Sequence, residues 1–361
     1  MMLSAGNGFI MQSEKYSRDN AGQSLKKYIL LKKGELAYNH GASKAKQYGC
    51  CYELTEDEAR IPYVYHCFKV SGAEHTPYVA TALNNPKIDR QLKRLVSSSV
   101  RMDGLLNISF DDYMSVILHL PSLKEQTHIA DFLKKLDERI TAQEKLVASL
   151  KKYKRGLLRK VFAKLSDSCE KRNLKEVSVL FADGDWIESK DQALDGIRLI
   201  QTGNVGFGVY IDKTQNAKYI SETTFHRLNC LEIYDGDILI SRLPEPAGRA
   251  CLLPKSRERR ITAVDCTVIR TDSSVIDRNY LLQFLCSEQY LKTVNSFLAG
   301  GTRQRISRKN LEGIEVPYPS IDEQRYWGSF LCKVDARISN EEQRRSSLSR
   351  LRCFMLQQLF I

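Results

Sequence analysis

Basic and amide side chains in three loops are the main candidates for chemistry in this sequence, and the chemistry that they suit is contact with nucleic acid. Arginine can hold guanine through two hydrogen bonds, glutamine can pair with adenine in the same way, and arginine or lysine can bind phosphate. The loops span residues 39–49, 242–249 and 300–305, of which the last is opened by two glycines that let a backbone approach closely. Any one such residue is more often an ordinary surface residue than a base reader, and the segment 303–305 is the strongest candidate. The candidates are Lys44, Lys46, Arg242, Arg249, Arg303, Gln304 and Arg305.

The charge of the chain favours the same kind of partner. Its 361 residues include 55 Lys and Arg against 43 Asp and Glu, which gives a formal net charge of +12. Lysine and arginine release counterions when they contact phosphates, so an excess of positive charge favours binding to a polyanion. Charge alone does not separate a nucleic-acid-binding protein from a merely basic one, and both interpretations stay open at this point.

Catalytic and metal-binding motifs are not expected to carry the function. Neither the glycine-rich dinucleotide fingerprint nor a phosphate-binding loop is found, and the Asn/Asp-Pro-Pro-aromatic run of adenine methyltransferases does not occur. Ten cysteines are scattered without a C-x-x-C pair, and the six histidines do not stand near them at ligand spacing. We therefore predict no metal and reduced, mostly buried thiols. The acidic pair Asp111 and Asp112 is interpreted as helix capping.

A long repeat organises the chain. The segment Pro121–Gln126 returns as Pro319–Gln324, an offset of 198 positions, and the register then holds without a gap to the end, so that Asp137 meets Asp335. An offset of this length indicates duplicated domains rather than a solenoid array. Two similar units on one chain suit a target that has two parts.

Each repeat ends in a segment whose apolar residues recur with a period of 3.5. In the first copy, eight of ten such positions between residues 129 and 161 are apolar, which predicts a long helix with a packing seam. Neither helix can bury its stripe alone. We therefore expect the two helices to pack on each other in antiparallel fashion, and a plain core helix within each domain is the alternative. The predicted seam residues are Ile129, Leu133, Leu136, Ile140, Val147 and Leu150 in the first helix, and Leu331, Val334, Ile338 and Leu348 in the second.

Polar residues interrupt the two seams at matching places. Gln143 corresponds to Glu341, and Lys154 corresponds to Arg352. Polar residues at seam positions often fix the register of a helix pair at a cost in stability. The basic run at residues 151–160 is interpreted first as solvated surface at a helix C-terminus, where cations are favourable, and second as a DNA contact. Each helix is expected to start at its Pro-Ser pair, with a glutamate in the first turn.

A β-rich block lies upstream of each long helix. In both blocks a Gly-Glu or Gly-Asp turn precedes a buried strand, and a single helix is expected further on, at residues 81–96 in the first block and 277–298 in the second. Beyond such shared features the two blocks have little in common. The predicted strands are short apolar runs bounded by Gly, Asn and Pro at residues 28–31, 63–70, 197–201, 238–241 and 266–270.

With two unlike β-rich blocks, each closed by a long Pro-Ser-x-x-Glu-Gln helix, the chain resembles the DNA specificity subunit of type I restriction–modification systems. The resemblance is carried by residues 120–126 and 132–140 and by their second copies, and it extends over essentially the whole chain. It implies an α+β protein in which two mixed β-rich target recognition domains are separated by two long helices, packed as an antiparallel coiled coil with pseudo-twofold symmetry. Each domain would read one half of a bipartite, asymmetric DNA site, and the helices would set the distance between the halves.

The start of the first domain departs from the pattern. In the second unit about 29 residues precede Thr202, whereas three precede the matching Ser4, so the first domain is expected to be truncated at its N-terminus. A wrongly assigned start, a recombined or truncated allele and a working variant with a shortened edge are the alternatives. The predicted limits are 1–120 for the first target recognition domain, 121–163 for the central helix, 164–172 for a linker, 173–318 for the second target recognition domain and 319–361 for the C-terminal helix.

The resemblance also implies the partners. They are double-stranded DNA, modification subunits that carry S-adenosylmethionine and methylate adenine, and restriction subunits that use ATP and Mg. This chain itself would bind no cofactor and catalyse nothing. A cytoplasmic location is expected, because the sequence shows no signal peptide and no apolar run long enough to span a membrane.

Two other classes of protein remain as alternatives. A self-contained DNA-cleaving or DNA-modifying enzyme would act on DNA without partners. A coiled-coil structural adaptor would not bind DNA, and the duplicated mixed blocks argue against it.

Overall fold

The fold is known from a computed structural model that describes residues 1–4, 6, 8–15, 27–43, 46–96, 106–298 and 304–360. The chain divides into two compact units, one formed by residues 1–144 with 344–361 and the other by residues 145–343. Each unit therefore contains one β-rich block together with parts of both long helices. The limits that the sequence predicts for the individual domains remain predictions.

The first unit is built from short antiparallel strands and four short helices, together with its parts of the two long helices. Strands β1 and β2 form a hairpin, β3 pairs with β6, and β4 lies between β5 and β7. The elements are β1 (Met2–Ser4), β2 (Gly8–Ile10), α1 (Gln12–Lys15), β3 (Ile29–Lys32), β4 (Leu36–Asn39), β5 (Cys50–Glu53), β6 (Glu58–Ile61), β7 (His66–Phe68), α2 (Thr76–Ala82), α3 (Pro86–Leu95) and α4 (Phe110–Met114).

The second unit repeats this plan with fuller sheets. One sheet has the order β11-β10-β15-β12, a second has the order β14-β13-β16-β9, and β8 pairs with β17. The elements are β8 (Lys171–Asn173), β9 (Leu180–Asp183), β10 (Ile197–Ile200), β11 (Lys218–Ile220), α6 (Glu222–Leu228), β12 (Glu232–Ile233), β13 (Ile238–Ser241), β14 (Ala250–Leu252), β15 (Arg260–Thr262), β16 (Cys266–Arg270), α7 (Arg278–Leu285), α8 (Glu288–Ser296), α9 (Arg308–Glu312) and β17 (Glu315–Pro317).

The turn-and-strand motif predicted in both blocks is confirmed. Gly34 and Gly236 both have a positive φ, at 83° and 88°, and each precedes a strand whose residues are almost all buried. Glycine suits this backbone conformation because it has no Cβ. Strand β13 lies at the centre of its sheet between β14 and β16, as β4 lies between β5 and β7.

The single helix expected in each block is wrong, because each prediction corresponds to two helices. Residues 81–96 are divided at Asn85, which is extended because the following Pro86 disfavours a helical residue before it, and the Asn85 side chain caps the N–H of Lys87. Residues 277–298 are divided at Ser287, whose side chain accepts a hydrogen bond from the N–H of Tyr290. The capping role predicted for Asp112 is confirmed, since Asp112 and Ser109 form a capping box at the start of α4.

The two long helices are α5 (Leu123–Ser168) and α10 (Ile321–Leu359). The Pro-Ser start predicted for them is confirmed, because the hydroxyl of Ser122 accepts from the N–H of Glu125 and that of Ser320 accepts from the N–H of Glu323. The Glu125 carboxylate in turn accepts from Ser122, and these hydrogen bonds lower its pKa. Helix α5 continues to Ser168, five residues into the segment predicted as a linker.

The glutamine that ends each Pro-Ser-x-x-Glu-Gln motif ties a long helix to its block. Gln126 and Gln324 are fully buried. The Oε1 atom of Gln126 accepts from the N–H of His75, and that of Gln324 accepts from the N–H of Asp277, both at 3.0 Å. Each amide also donates to the proline carbonyl five residues earlier. One side chain thus fixes the start of a long helix against the N-terminus of α2 or α7.

Both units use the same aromatic contact to hold the far end of the other long helix. In the first unit Tyr78 stacks on Phe360, with ring centroids 5.0 Å apart. In the second unit Phe162 lies 5.5 Å from Tyr280. Phe162 and Phe360 stand 198 positions apart, so each copy of the repeat ends in a phenylalanine that packs into a block.

Two charged pairs show the antiparallel pairing of the helices within each unit. Arg352 Nη2 donates to Asp137 Oδ2 at 3.0 Å in the first unit, and Lys154 Nζ lies 2.5 Å from Asp335 Oδ1 in the second. Both members of one pair lie 198 positions from those of the other. Such partly exposed pairs contribute at most about 1 kcal/mol, so their effect is to fix register rather than to supply stability.

The prediction that the basic run at 151–160 is solvated surface is confirmed for every basic residue except Lys154, but its predicted position at a helix C-terminus is wrong. Helix α5 ends at Ser168, so the run lies inside the helix. Lys154 is largely buried in its pair with Asp335, and Lys151 Nζ lies 2.6 Å from Glu342 Oε1. Of the basic residues in this run only Lys154 is largely covered, whereas Lys151 stays exposed in its ion pair, and the charge pattern of one helix does not reveal this difference.

The buried glutamine contact gives a direct test of this packing. Gln324→Ala should lower the free energy of unfolding by about 1–3 kcal/mol, because it leaves the N–H of Asp277 buried without an acceptor. Gln343→Ala removes an exposed glutamine from the same helix and should change that free energy by less than about 0.5 kcal/mol. Urea denaturation followed by circular dichroism measures both. Equal effects of the two substitutions would contradict the role given to Gln324.

Candidate nucleic-acid interface

The loop that leads from β13 to β14, residues 242–249, is held at both ends by arginines. At its start, the Arg242 side chain is only 6% exposed. Its Nη2 donates to the carbonyl of Val264 at 2.6 Å and lies 3.4 Å from Asp183 Oδ2. The Arg242 backbone donates to the carbonyl of Asp265 and accepts from the N–H of Ile306. This residue therefore connects four segments of the second unit.

At the other end of the loop, Arg249 donates to four backbone carbonyls. Nη1 donates to Leu243 at 2.8 Å and to Pro246 at 3.1 Å, which are both in the loop itself. Nε donates to Val205 at 2.7 Å, and Nη2 donates to Thr202 at 2.9 Å. The guanidinium thus joins the loop to the segment that follows β10.

Burial shapes the electrostatics of this region. It lowers the pKa of the Arg242 guanidinium, against the opposing effect of Asp183, and it also lowers the pKa of Arg249. Burial raises the pKa of the Cys251 thiol to about 12 and that of Cys266 to about 11. The two thiols are therefore neutral at physiological pH and act as core residues beside the loop.

The end of the third loop is exposed. Gln304 and Arg305 are both accessible, and Arg305 Nη2 lies 3.6 Å from Asp265 Oδ1, close to the anchored base of the 242–249 loop. A half-exposed guanidinium at this distance from a carboxylate is weakly held and can exchange that partner for phosphate. Of the five candidates that the structure describes, these two are placed most openly for contact with a ligand. Arg303 lies outside the described residues.

In the first unit the candidate Lys46 has a structural contact. Its Nζ donates to the carbonyl of Asn84 at 2.8 Å, just beyond the end of α2. The Asn84 side chain in turn pairs with the backbone of Cys51, so that Lys46 lies in a chain of contacts between the loop, α2 and β5. Lys44 lies outside the described residues. The whole set of candidate contact residues remains a prediction.

The predicted seam residues lie along the inner side of the long helices. In α5, Leu133, Leu136 and Val147 are buried, while Ile129, Ile140 and Leu150 are half-buried. In α10, Leu331 and Ile338 are buried, while Val334 and Leu348 are half-buried.

Sequence reasoning missed an exposed apolar turn next to the arginine-held loop. Phe207, Val209 and Ile211 are each 43–57% exposed, and the turn is closed by a hydrogen bond from the N–H of Gly206 to the carbonyl of Val209. The N–H of Gly208 also donates to the carbonyl of Ala250 at 2.8 Å, which fastens the turn to β14. Apolar side chains can contact thymine methyl groups. The glycine-rich run 203–208 was a signal for this turn, but not for its exposure.

Two features often found in other functional classes do not occur in the part of the chain that the structure describes. No group of three or more His, Cys, Asp or Glu side chains there could hold a metal ion. No helix among these residues is both long and apolar enough to cross a membrane.

The two ends of the 242–249 loop allow a prediction about its anchoring. Arg242→Ala should lower the free energy of unfolding by about 2–4 kcal/mol, because it leaves the largely buried Asp183 without its cation. Arg305→Ala removes the same charge from a half-exposed site and should cost less than about 0.5 kcal/mol. Thermal and urea unfolding of both variants measures the difference. An Arg242→Ala variant as stable as Arg305→Ala would contradict the anchoring.

The curated proteins that this chain resembles are specificity subunits of type I restriction enzymes. One curated relative is the type I restriction enzyme MjaVIII specificity subunit of Methanocaldococcus jannaschii, which is 23% identical over 273 residues, or 71% of this chain. The match spans 64% of that relative, slightly less than two thirds of its length.

Solved structures show the same fold. A chain from a structural study of complex assembly and conformational transition of the type I R-M system aligns over 92% of this chain and 82% of its own, with a TM-score of 0.56. The S subunit of the type I restriction-modification system from M. genitalium aligns over 91% and 83%, with a TM-score of 0.53. Both are 18% identical in sequence, so these likenesses concern the fold alone.

The family evidence comes from a sequence model described as the type I restriction modification DNA specificity domain. It matches residues 166–350, just over half of the chain, and this segment contains the second β-rich block, the arginine-held loop and most of α10. The protein therefore belongs to the type I restriction modification DNA specificity domain family.

Proposed function

We propose that this chain is the DNA specificity subunit of a type I restriction–modification complex and that it reads a bipartite, asymmetric site in double-stranded DNA. Each β-rich block would contact one half-site through its loops. The positive charge of the chain would supply the phosphate attraction that is common to all sequences, and the loops would supply the preference among them.

The observation that carries this proposal is the division between a repeated frame and unlike loops. The glutamine contacts, the terminal phenylalanines and the charged helix pairs all recur at the same offset of 198 positions. The loops differ in length, sequence and anchoring, as shown by Lys46 in one unit and by Arg242 and Arg249 in the other. A frame that is repeated with different loops suits a protein that presents two different surfaces to one ligand.

The partners and cofactors follow from the same proposal. Modification subunits would bind along the long helices and methylate adenine with S-adenosylmethionine, and restriction subunits would supply the ATP- and Mg-dependent nuclease. This chain would be the non-catalytic member of the complex and would hold none of these cofactors. A stand-alone DNA-processing enzyme is the alternative that the following experiment also tests.

Selection from random duplexes tests the proposal directly. The full chain, with its modification subunits present, should enrich a motif of two short, different half-sites separated by a spacer of fixed length. Binding should weaken steeply as salt rises, because phosphate contacts release counterions. The measurement is sequencing of the bound pool after successive rounds, followed by titration of the enriched duplex at several salt concentrations.

The chain without partners serves as the control for catalysis. Incubated alone with the enriched duplex, S-adenosylmethionine, ATP and Mg, it should neither methylate nor cleave the DNA. Activity of the purified chain alone would support the stand-alone enzyme instead. Enrichment of one uninterrupted motif, or of none, would count against a bipartite specificity subunit.

A further inference from the structure

The most unusual polar contact outside the helix frame is the fourfold engagement of Arg249. A guanidinium has five N–H donors in a fixed planar arrangement. Four hydrogen bonds from Arg249 go to the carbonyls of Thr202, Val205, Leu243 and Pro246, at 2.7–3.1 Å. A bidentate contact with guanine would need two free N–H groups on one edge, and forming it would break contacts that are already made.

The carbonyls belong to two separate segments, both of which carry exposed side chains. One segment is the 242–249 loop, in which Pro244, Glu245 and Pro246 are exposed. The other runs from Thr202 to the apolar turn at Phe207 and Val209. Among the described residues, one backbone–backbone hydrogen bond joins this turn to the start of β14, from the N–H of Gly208 to the carbonyl of Ala250. The other hydrogen bonds between the two segments come from the Arg249 side chain.

Apart from those of Arg249, the hydrogen bonds of the loop lie mainly at its two ends. Gly248 is fixed at the base, since its N–H donates to the carbonyl of Ser241 and its carbonyl accepts from the hydroxyl of Tyr290 at 3.0 Å. Its φ of 83° also favours glycine there. These contacts hold the ends of the loop, whereas Arg249 reaches across to Leu243 and Pro246, on the near side of the exposed tip.

We propose that Arg249 is a positioning residue for DNA specificity, which joins the 242–249 loop and the 202–211 segment into one rigid surface without itself contacting a base. This proposal rests on the proposed function, because it concerns the surface that would read the second half-site. A lysine cannot replace the arginine, since a single ammonium cannot reach carbonyls on two segments in the same plane.

The test combines hydrogen exchange without DNA and binding with DNA. Arg249→Lys keeps the charge, Arg249→Ala removes it, and Arg305→Ala removes an exposed charge nearby as a matched control. In the full chain without DNA, both Arg249 variants should speed amide exchange at least tenfold in residues 202–211 and 243–248, while exchange in α7 and α10 stays unchanged. Arg305→Ala should leave exchange in both segments as in the wild type.

In the DNA arm, each variant is titrated with the duplex enriched by the wild-type chain and with duplexes altered in one half-site. Both Arg249 variants should reduce the preference for the enriched half-site about tenfold or more. Arg249→Ala should leave the slope of log affinity against log salt unchanged, whereas loss of a phosphate contact would reduce that slope by about 0.9. The salt slope separates positioning from contact, because only the loss of a phosphate contact reduces it. The preference separates positioning from a merely local structural role, which would alter neither preference nor slope.

Three results would overturn the proposal: unchanged exchange in the two segments, full rescue of preference by Arg249→Lys, or a reduced salt slope for Arg249→Ala. If Arg249→Ala does not fold, Arg249→Lys alone decides by exchange and preference. If the wild-type chain enriches no sequence at all, the proposed function fails, and the exchange arm still decides whether Arg249 joins the two segments.

Discussion

Burial of the two apolar helix stripes is the constraint on which the rest of this structure depends. A single helix of this length would expose its seam residues to water, and helical stability in proteins comes mainly from such packing. In each unit the first half of one long helix is covered by the last half of the other and by the block's own helices. Phe360 therefore packs against Tyr78 in the core of the first unit, and Phe162 packs against Tyr280 in the core of the second. Neither block has its full core without both long helices.

This constraint explains which residues recur in the repeat and which do not. Residues that join a helix to a block, such as Gln126 and Gln324, meet the same geometric demand twice and are the same in both copies. Loop residues meet no such demand. Once the frame has fixed the ends of a loop, its exposed part can differ without loss of core packing, as it does between the loop of Lys46 and the loop of Arg249. A stable frame and variable surfaces are thus consequences of one packing arrangement.

The sequence predicts the frame well because its signals are local and periodic. The seam containing Leu133 and Leu331, the glycine turn at Gly236 and the serine caps each depend on spacing along the chain, and the structure has them in those places. The division of the helix at Ser287 was not predicted, because a serine inside an apolar pattern is compatible with a continuous helix. The role of Arg249 was not predictable either. A loop arginine that binds phosphate and one that binds its own backbone look alike in sequence, and only the positions of distant carbonyls distinguish them.

The proposed function requires the paired long helices to act together and to set the distance between the two half-sites. Seven residues, a full heptad, inserted after Ala148 in α5 and after Ser346 in α10 would lengthen both helices by about 10 Å and keep their seams in register. Selection from random duplexes should then return the same two half-sites with a spacer longer by about three base pairs, given 3.4 Å per base pair of B-DNA. The same insertion in α5 alone cannot keep both the Lys154–Asp335 pair and the Asp137–Arg352 pair in register, and it should abolish the fixed spacer. An unchanged spacer in the double-insertion protein would contradict the account.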